Sequence, residues 1–333
     1  MNLVTGATGI VGTRLIFDLL VKGESVRALK RPSSDMDHVQ KALSHYHGTD
    51  AAEMMKAVDW VDGDLLDLGS LDDALAGVSQ VYHTAALVSY SARDAQQLID
   101  VNVEGTANLV NLALEAGIQK LCHLSSVSAL GQPSQGPATE RTTWKRSQQR
   151  SIYGLSKYLA EQEIWRGAAE GLPAVVVNPS VIIGPGKPDQ SSGMLMKLLT
   201  GGVAYYPPGG TGLVDVRDVS AACIALMDSE LTQERFLLNA DNVPYQSLLT
   251  WAAEVFGNRP PRFALQPWML ELAWPLAAIG SAFTAKAPKI TKETARNACR
   301  ELAYDASKVR TALGMEFIPI RESLAYFKPF FKG

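Results

Sequence analysis

Close to its start the chain reads Thr5-Gly6-Ala7-Thr8-Gly9-Ile10-Val11-Gly12, between a short apolar run and a helical pattern. Glycines at these three positions permit a tight turn, close approach of the backbone to a pyrophosphate, and close packing of the helix on the strand. The free N–H groups and the dipole at the start of the helix attract phosphate oxygens. A glycine triplet alone is only a turn, but between a strand and a helix it predicts a dinucleotide site.

Short β-branched runs alternate with longer helical patterns through the first half of the chain. Such alternation is typical of βαβ units, whose parallel sheet binds ligands at the carboxyl ends of its strands. We therefore predict the α/β fold class, with a Rossmann-type doubly wound parallel sheet and a smaller C-terminal substrate-binding lobe. The predicted strands span 2–5, 25–29, 57–61, 80–83, 120–125 and 174–178, and the predicted helices span 10–21, 36–55, 70–76, 95–116 and 153–169.

After Pro179 the regular pattern is interrupted by turns such as Gly184-Pro185-Gly186 and Pro207-Pro208-Gly209-Gly210. We predict a dinucleotide-binding domain over 1–180 and a mainly substrate-binding lobe over 181–333. A strand near 235–240 is expected to return to the sheet. Helices of the lobe are expected at 248–256 and 305–313.

The charge balance of the chain favours a small-molecule substrate. Its 333 residues include 31 Lys and Arg against 34 Asp and Glu, which gives a net charge of −3. With no block of like charge, this argues against nucleic acid or an anionic surface as the main partner.

The three cysteines, Cys122, Cys223 and Cys299, are widely spaced, which indicates neither a disulfide framework nor a CxxC metal site. We interpret them as small core residues of a protein in a reducing compartment. Met1 leads directly into the glycine turn without the pattern of a signal peptide, so we expect a cytoplasmic location.

One long apolar segment complicates this interpretation. Between Phe263 and Ala285 the only charged residue is Glu271, and a bilayer-spanning helix takes about 20 residues. However, Pro267, Pro275 and Gly280 interrupt the segment. We favour a pair of helices that cover an apolar substrate site, with contact at a membrane surface as the alternative.

The chemistry is indicated by Tyr153-Gly154-Leu155-Ser156-Lys157, which places a phenol and an ammonium four residues apart on one face of a predicted helix. A lysine so placed stabilises the phenolate, which suits the tyrosine to acid and base catalysis near neutral pH. Upstream, the serine run Ser125-Ser126-Val127-Ser128 ends an apolar segment.

In this order, the glycine turn, serine run, tyrosine and lysine resemble the short-chain dehydrogenase/reductase superfamily. The TGxxGxxG spacing resembles its extended branch, which includes sugar-nucleotide epimerases and dehydratases, 3β-hydroxysteroid dehydrogenases and dihydroflavonol reductases. The chain resembles the last two most. The resemblance covers essentially the whole chain and extends to Gly63-Asp64-Leu65, His83-Thr84-Ala85-Ala86, Asn102-Val103-Glu104-Gly105-Thr106, Asn178-Pro179 with Gly184-Pro185, and Val214-Asp215-Val216-Arg217-Asp218.

The resemblance implies a role for each catalytic candidate. Tyr153 would exchange a proton with the substrate oxygen, and Lys157 would hold the nicotinamide ribose and lower the pKa of the tyrosine. Ser126 would hydrogen-bond the same substrate oxygen and orient it. Ser128 is a candidate helper, whereas Ser125 is expected to face the packing side.

Asn102 matches the helix asparagine of the NVxGTxN pattern. It either supports the site through backbone or water contacts, or it is merely a polar residue near a helix start.

The resemblance also implies the cofactor contacts. Asp64 and Leu65 would frame the adenine, and Ala85 and Ala86 would lie beside the ribose and phosphates. The predicted cofactor-binding residues are Gly6, Thr8, Gly9, Ile10, Gly12, Lys30, Arg31, Asp64, Leu65, Ala85, Ala86, Tyr153 and Lys157.

The end of the second predicted strand indicates which cofactor is used. NAD-binding folds usually place an acid there, whereas this chain has Leu29-Lys30-Arg31-Pro32-Ser33-Ser34. A guanidinium grips a 2′-phosphate that an acid would repel. We therefore predict NADP(H) rather than NAD(H), with Arg31 as the main contact and Lys30 and Ser33 as helpers. The alternative is a solvated basic turn.

Five histidines offer no competing chemistry. His38, His45 and His47 lie in a predicted surface helix and loop, while His83 and His123 lie in predicted strands and are interpreted as satisfied structural residues. Their spacing does not suit a metal, so no metal site is predicted.

Three classes of function are open: a reductase or dehydrogenase, a sugar-nucleotide epimerase or dehydratase, and a nucleotide sensor. The complete Ser-Tyr-Lys set argues against a sensor, and Val127-Ser128 stand where a dehydratase carries Asp-Glu. No arginine shortly before Val214 clamps a sugar diphosphate. We therefore predict an NADP(H)-dependent oxidoreductase acting on a carbonyl or secondary alcohol of a hydrophobic or ring-bearing small molecule, with an epimerase that retains NAD as the alternative.

Two further expectations concern the surroundings of the site. By family analogy, a homodimer is expected through the helices at 95–116 and 153–169. Residues of the lobe that would line an apolar pocket, or fill an ordinary core, are Tyr205, Tyr206, Pro207, Pro208, Trp268, Trp274 and Phe283.

Overall fold

The computed structural model describes residues 1–49, 51–144, 151–187, 191–271, 274 and 292–332. Its strands are β1 (Asn2–Thr5), β2 (Val26–Lys30), β3 (Asp59–Asp62), β4 (Gln80–His83), β5 (Lys120–Leu124), β6 (Ala174–Pro179), β7 (Val181–Ile183), β8 (Tyr205–Tyr206), β9 (Gly210–Asp215), β10 (Glu234–Leu238), β11 (Asp241–Pro244) and β12 (Phe263–Ala264). Seven of them form a parallel sheet in the order β10-β6-β5-β4-β1-β2-β3.

The labelled helices cover both faces of this sheet. They are α1 (Ile10–Val21), α2 (Met36–His47), α3 (Ala52–Ala57), α4 (Leu68–Leu75), α5 (Ala95–Ile99), α6 (Gly105–Glu115), α7 (Ile152–Ala169), α8 (Ser191–Gly201), α9 (Val216–Asp228), α10 (Tyr245–Phe256), α11 (Lys292–Ala298), α12 (Ser307–Leu313) and α13 (Ile320–Lys332).

Two apolar layers hold the helices on the sheet. Helices α1 and α9 pack on one face, with Leu15 and Val219 in the core, and α4, α6 and α7 cover the other face, with Leu109 and Ile164 in a second cluster. Because both faces are covered, the central strands are largely buried, and every residue of β6 is buried. The predicted fold class, a doubly wound parallel α/β sheet, is confirmed.

The boundaries of β1, α1 and β4 agree with prediction, but two predicted helices are divided. The helix predicted at 36–55 is two helices, because Gly48 takes a left-handed φ of 82° and ends α2. The helix predicted at 95–116 contains one wider π turn, Asp100–Glu104, between α5 and α6. That turn carries Asn102, and turns of this kind are frequent at functional sites.

The chain beyond β6 adds two small sheets and one strand of the main sheet. β9 pairs with β7 and β11, and β8 pairs with β12. The returning strand expected near 235–240 is β10, which lies parallel to β6 at the edge of the main sheet. The Ser180 N–H donates to the Leu238 carbonyl at 2.9 Å. The point where the chain leaves the main sheet after β6 therefore lies beside the end of the returning strand β10.

The apolar segment Phe263–Ala285 falls largely outside the described residues. Its described part includes β12 and a short helix over 267–271. Across the described ranges, no helix is both long and apolar enough to cross a membrane.

Candidate active site

The glycine turn forms a close-fitting bend at the carboxyl end of β1. Gly6 has a left-handed φ of 65°, and a Cβ added there would lie 2.5 Å from the Ala85 nitrogen. A Cβ added at Gly12 would lie 2.3 Å from the Gly6 carbonyl oxygen. Gly9 is exposed and stands as N-cap of α1, where a glycine leaves the first helical N–H groups free of a capping side chain. This turn fits a pyrophosphate held by backbone donors.

The other predicted cofactor residues follow the ends of neighbouring strands. Ala85 and Ala86 are half-buried after β4, and the Ala85 N–H donates to Thr5 Oγ1 at 3.3 Å. Asp64 and Leu65 follow β3, and Asp64 accepts from the Leu66 N–H at 3.0 Å. The sheet order β4-β1-β2-β3 therefore brings these residues and the glycine turn to one edge.

The two adjacent cations after β2 differ in their surroundings. The Lys30 ammonium forms an ion pair and hydrogen bond with the Asp62 carboxylate on the next strand. Arg31 is exposed, and its backbone closes a turn with Ser34. Ser33 is exposed in the same turn. Of the two cations, Arg31 is therefore the one whose charge lacks an ion-pair partner among the described residues.

The structure brings Ser126, Tyr153 and Lys157 together where β5 ends. Ser126 follows β5, and its side chain hydrogen-bonds that of Tyr153, which is only 8% exposed. Burial raises the pKa of Tyr153 to about 12, an effect that the hydrogen bond from Ser126 partly opposes. Lys157 is buried one helical turn further, and its Nζ donates to the Leu124 carbonyl at 2.8 Å.

The charge of Lys157 is sensitive to its surroundings. Burial lowers its pKa to about 8, while the nearby Glu161 carboxylate acts in the opposite direction. At neutral pH the ammonium is therefore mostly protonated, and about half of it is deprotonated near pH 8.

The three serines occupy distinct positions. Ser125 is buried and donates to Glu161 Oε1 at 2.5 Å, which agrees with its predicted packing orientation. Ser126 Oγ accepts from the Ser128 N–H at 3.1 Å and so begins a short 3₁₀ turn. Ser128 lines a cleft beside this turn. Of the three serines, Ser126 is the one that lowers the pKa of Tyr153.

Asn102 links three elements behind the site. Its side chain accepts from the Leu87 N–H at 2.7 Å and donates to the Leu87 carbonyl at 3.0 Å and to Ser156 Oγ at 2.9 Å. Ser156 lies between Tyr153 and Lys157 on α7. The buried amide thus fixes the loop after β4 relative to the helix that carries the tyrosine, which supports the positioning interpretation over that of an incidental polar residue.

Replacing Asn102 with alanine should destabilise the protein by about 2–3 kcal/mol, because the Leu87 backbone and Ser156 lose buried partners. Asn108→Ala is the matched control, since the half-buried Asn108 side chain donates to the Leu65 carbonyl at 3.0 Å, away from Tyr153 and Lys157 in the chain. Urea unfolding of both variants measures the difference. Equal decreases in the free energy of unfolding of the two variants would argue against a special role for Asn102.

Two buried histidines stand side by side under the site. His83 bonds Thr5 Oγ1 at 2.8 Å and Thr106 Oγ1 at 2.9 Å, so it is satisfied as predicted. His123 is also buried, but neither ring nitrogen has a hydrogen-bond partner among the described residues. Burial and the charge of Lys157 lower the pKa of both rings, His83 to about 3. Both are therefore neutral.

The histidines of α2 face other parts of the protein. His38 is half-buried and contacts the Pro185 carbonyl at 3.0 Å, and His45 packs against Tyr326 and Phe330 of the last helix. Among the described residues no group of three His, Cys, Asp or Glu side chains could hold a metal ion.

A cleft of about 480 Å³ opens at the 3₁₀ turn that follows Ser126. It begins at Val127 and Ser128 on one side and Ser151, the N-cap of α7, on the other. Its lining residues are Val127, Ser128, Leu130, Gly131, Gln132, Pro133, Ser134, Gln135, Gly136, Ala138, Ser151, Asn297, Arg300, Glu301, Leu302, Ala303 and Tyr304. The cleft has the size of a small-molecule site and mixes apolar with polar walls.

A larger cavity, about 970 Å³, lies elsewhere, beside the outer strand β10. Trp165, Arg235 and Lys308 are among its lining residues. Neither cavity is lined by Ser126, Tyr153 or Lys157, but the smaller one includes Val127 and Ser128, which directly follow Ser126 in the chain. The smaller cleft is therefore the better candidate for the substrate.

The aromatic residues expected around the substrate do not line this cleft. Tyr205 packs against Phe263 and is 54% exposed, and Trp268 is 62% exposed. Phe283 lies outside the described residues. Arg217 is also turned away, since it pairs with Asp215 at 2.7 Å and stacks on Tyr326.

The structure adds residues that the sequence patterns did not indicate. Arg300 and Tyr304 join the far wall of the cleft from the C-terminal part of the chain, and Glu161 lies behind Lys157. Only Glu161 carried a local signal: it stands four residues after Lys157, on the same face of α7.

The fold and the grouping of Ser126, Tyr153 and Lys157 are those of an extended short-chain dehydrogenase/reductase. Residues 2–238 match the NAD-dependent epimerase/dehydratase family, and the chain belongs to that family. It is therefore an enzyme of the NAD(P)-dependent oxidoreductase, epimerase and dehydratase group.

Two relatives and one solved structure are similar to this chain over nearly their whole length. The chain is 33% identical to sterol demethylase protein B of Methylococcus capsulatus, covering 94% of this chain and 93% of that protein. It is also 33% identical to a putative dihydroflavonol 4-reductase of Synechocystis, covering 97% and 92%. Among solved structures, that of gox2253 is 31% identical, with a TM-score of 0.82 over 100% of this chain and 98% of the other.

Proposed function

We propose that the protein is an NADP(H)-dependent oxidoreductase that interconverts a carbonyl and a secondary alcohol on a hydrophobic or ring-bearing small molecule. The observation that carries this proposal is the grouping of Ser126, buried Tyr153 and Lys157 at the end of β5, where the next residues, Val127 and Ser128, line the 480 Å³ cleft. A dihydroflavonol 4-reductase among the relatives agrees with the proposed reaction class.

Ser126, Tyr153 and Lys157 have different roles in the proposed reaction. When bound, the dinucleotide supplies the hydride to the carbonyl carbon. Ser126 and Tyr153 hydrogen-bond the carbonyl oxygen, and Tyr153 gives up its proton to that oxygen as the C–H bond forms. Protonated Lys157 stabilises the tyrosinate that remains. Above pH about 8 Lys157 loses its proton, so the rate of reduction should fall there.

The walls of the cleft favour a ring with polar substituents. Leu130, Leu302 and Tyr304 offer apolar contact, whereas Gln132 and Arg300 offer hydrogen bonds. A ring-bearing substrate that also carries a polar or anionic group fits these walls.

The proposed cofactor preference depends on Arg31. Replacing Arg31 with alanine should weaken NADPH binding about tenfold or more, because a 2′-phosphate loses a charged hydrogen-bond donor, and should leave NADH binding within about twofold. Dissociation constants for both reduced cofactors, obtained by fluorescence titration, measure this.

Lys30→Ala is the control for Arg31, since the neighbouring Lys30 ammonium is already engaged by Asp62. Its effect on the ratio of the two dissociation constants should stay below about threefold. Equal affinity for NADPH and NADH in the unaltered protein, unchanged by Arg31→Ala, would rule out the preference.

A second candidate function, epimerisation of a nucleotide sugar with retained NAD, is favoured by one observation. Arg300 is an exposed cation on the cleft wall and offers a guanidinium to a diphosphate, whereas the residues shortly before Val214 include no arginine.

The two functions are separated by cofactor turnover. The purified protein is tested for bound dinucleotide and then given NADPH or NADH with a panel of ring-bearing carbonyls, and separately UDP-sugars. Net oxidation of NADPH supports the proposal. Stoichiometric retained NAD with interconversion of UDP-sugars, and no net cofactor oxidation, would replace it by the epimerase.

A further inference from the structure

Glu161 is a buried carboxylate that the reaction described above does not use. Its side chain is fully buried, yet it has two hydrogen-bond donors and one ion-pair partner, which come from three parts of the fold. Ser125 after β5 donates to Oε1 at 2.5 Å, Asn178 of β6 donates to Oε1 at 2.6 Å, and Arg235 of β10 pairs with Oε2 at 2.9 Å. Because Ser125 and Asn178 donate hydrogen bonds and Arg235 carries a positive charge, the three partners complement a negatively charged carboxylate.

The same carboxylate stands one helical turn beyond Lys157, on the same face of α7. Both side chains point toward the carboxyl half of the sheet, where the Lys157 ammonium donates to the Leu124 carbonyl at 2.8 Å. A buried ammonium is costly unless a compensating charge lies near. The attraction of Glu161 opposes the effect of burial on Lys157.

The other ionisable groups around Lys157 do not supply that charge. Tyr153 lies on the same helix and carries its proton, and the rings of His83 on β4 and His123 on β5 are neutral. Beyond Glu161 stands the Arg235 guanidinium, which is positive. Among the described residues that face the ammonium, the compensating negative charge is that of Glu161.

Glu161 also reaches the serine side of the site. Asn178 donates one N–H to Glu161 and also contacts the Ser126 carbonyl at 2.9 Å. Ser125, the residue before Ser126, donates to the same carboxylate oxygen. The carboxylate therefore holds the chain on both sides of Ser126 while it faces Lys157.

We propose that Glu161 is a positioning residue that keeps Lys157 protonated near neutral pH, and that Arg235 of the returning strand fixes this carboxylate in place. The inference depends on the proposed function, because it assigns Glu161 to the acid and base chemistry of the same site. Lys157 and Glu161 are buried, and Glu161 pairs with the half-buried Arg235, which also lines the larger cavity beside β10.

The test is Glu161→Gln, which removes the negative charge and keeps the shape of the side chain. The titration of Lys157 is followed by NMR of protein labelled with 13C at the lysine Cε, with the resonance assigned by its loss in Lys157→Met. We expect the apparent pKa of Lys157 to fall by about one unit or more. In a plot of kcat/KM for carbonyl reduction against pH, the fall at high pH, called here the high-pH limb, should move to lower pH by the same amount.

Two variants on the same helix serve as controls. Glu163→Gln removes an acid whose partner is Arg166, at 2.9 Å near the surface, and should leave the titration and the limb unchanged. Glu161→Asp keeps the charge and should keep the limb within about half a pH unit of the unaltered enzyme, even where kcat falls. A merely structural role would lower the rate in Glu161→Gln without moving either pH dependence.

The outcomes separate this inference from the proposed function. If Lys157 titrates at the same pH in Glu161→Gln as in the unaltered protein, the inference is wrong whatever the activity. Should Glu161→Gln not fold, a Lys157 pKa below about 7 in the unaltered protein would contradict it, and a value at or above about 8 would support it. Absence of hydride transfer in the unaltered protein would instead contradict the proposed function.

Discussion

Replacing Tyr153 with phenylalanine should lower kcat for carbonyl reduction by about 10³-fold and leave NADPH binding within about threefold. The substitution removes the hydroxyl that donates the proton but keeps the buried ring, which is 8% exposed and packs edge-on against Tyr90 with ring centroids 5.8 Å apart. Stopped-flow single turnovers measure the hydride step, and a fluorescence titration measures cofactor binding.

Tyr158→Phe is the matched control for this result. Tyr158 lies on the same helix, stacks on Trp144 at 4.8 Å and is half-buried, so its variant loses a hydroxyl from α7 outside the predicted site. The Tyr158→Phe variant should keep kcat within about twofold, since the hydroxyl that it loses does not protonate the substrate. If Tyr153→Phe retained more than about a tenth of the activity, another group would have to be the acid.

Replacing Gly12 with alanine should cost roughly 3 kcal/mol of folding stability and should weaken cofactor binding. The new Cβ would lie 2.3 Å from the Gly6 carbonyl oxygen and 2.9 Å from the Ala7 Cα. Both are backbone atoms, so relief requires that α1 move away from the turn that is proposed to hold the pyrophosphate. Urea unfolding with and without NADPH measures both effects.

Gly69→Ala provides the comparison for Gly12→Ala. Gly69 lies in the first turn of α4, and an added Cβ there would only reach the Asp67 carboxylate oxygen at 3.6 Å, an ordinary contact. Alanine at this position should leave stability unchanged or raise it by about 0.5 kcal/mol, because the unfolded chain loses freedom. Similar losses in the two variants would show that close packing at Gly12 is not the cause.

Features governed by local spacing could be predicted from the sequence. The glycine turn sets the end of β1 and the start of α1, and the predicted strand at 80–83 matches β4 residue for residue. Tyr153 and Lys157 share a helix face because their separation of four residues dictates it. The seven-stranded sheet followed from repeated strand and helix alternation.

Features set by contacts between distant parts of the chain could not be predicted. Lys30 is engaged because β3 places Asp62 beside it, and Glu161 is paired because β10 brings Arg235 to the middle of α7. The cleft wall of Arg300 and Tyr304 comes from residues whose local sequence has no characteristic pattern.

The π turn at Asp100–Glu104 could not be predicted from the sequence either. A helical pattern does not reveal one extra residue in a turn, because the apolar spacing on either side remains helical. Its effect becomes visible only when Asn102 is seen to contact Leu87 and Ser156.

The position of β10 beside β6 has a consequence for how the protein is made. Six strands of the main sheet are complete once residue 179 has left the ribosome, but the partner of β6 is not yet synthesised. Until Glu234–Leu238 emerges, an apolar strand containing Val175, Val176 and Val177 presents its unpaired backbone edge to other nascent chains. Exposed edges of this kind promote aggregation. The interval between the two strands is therefore the period of synthesis in which the chain most needs protection by chaperones.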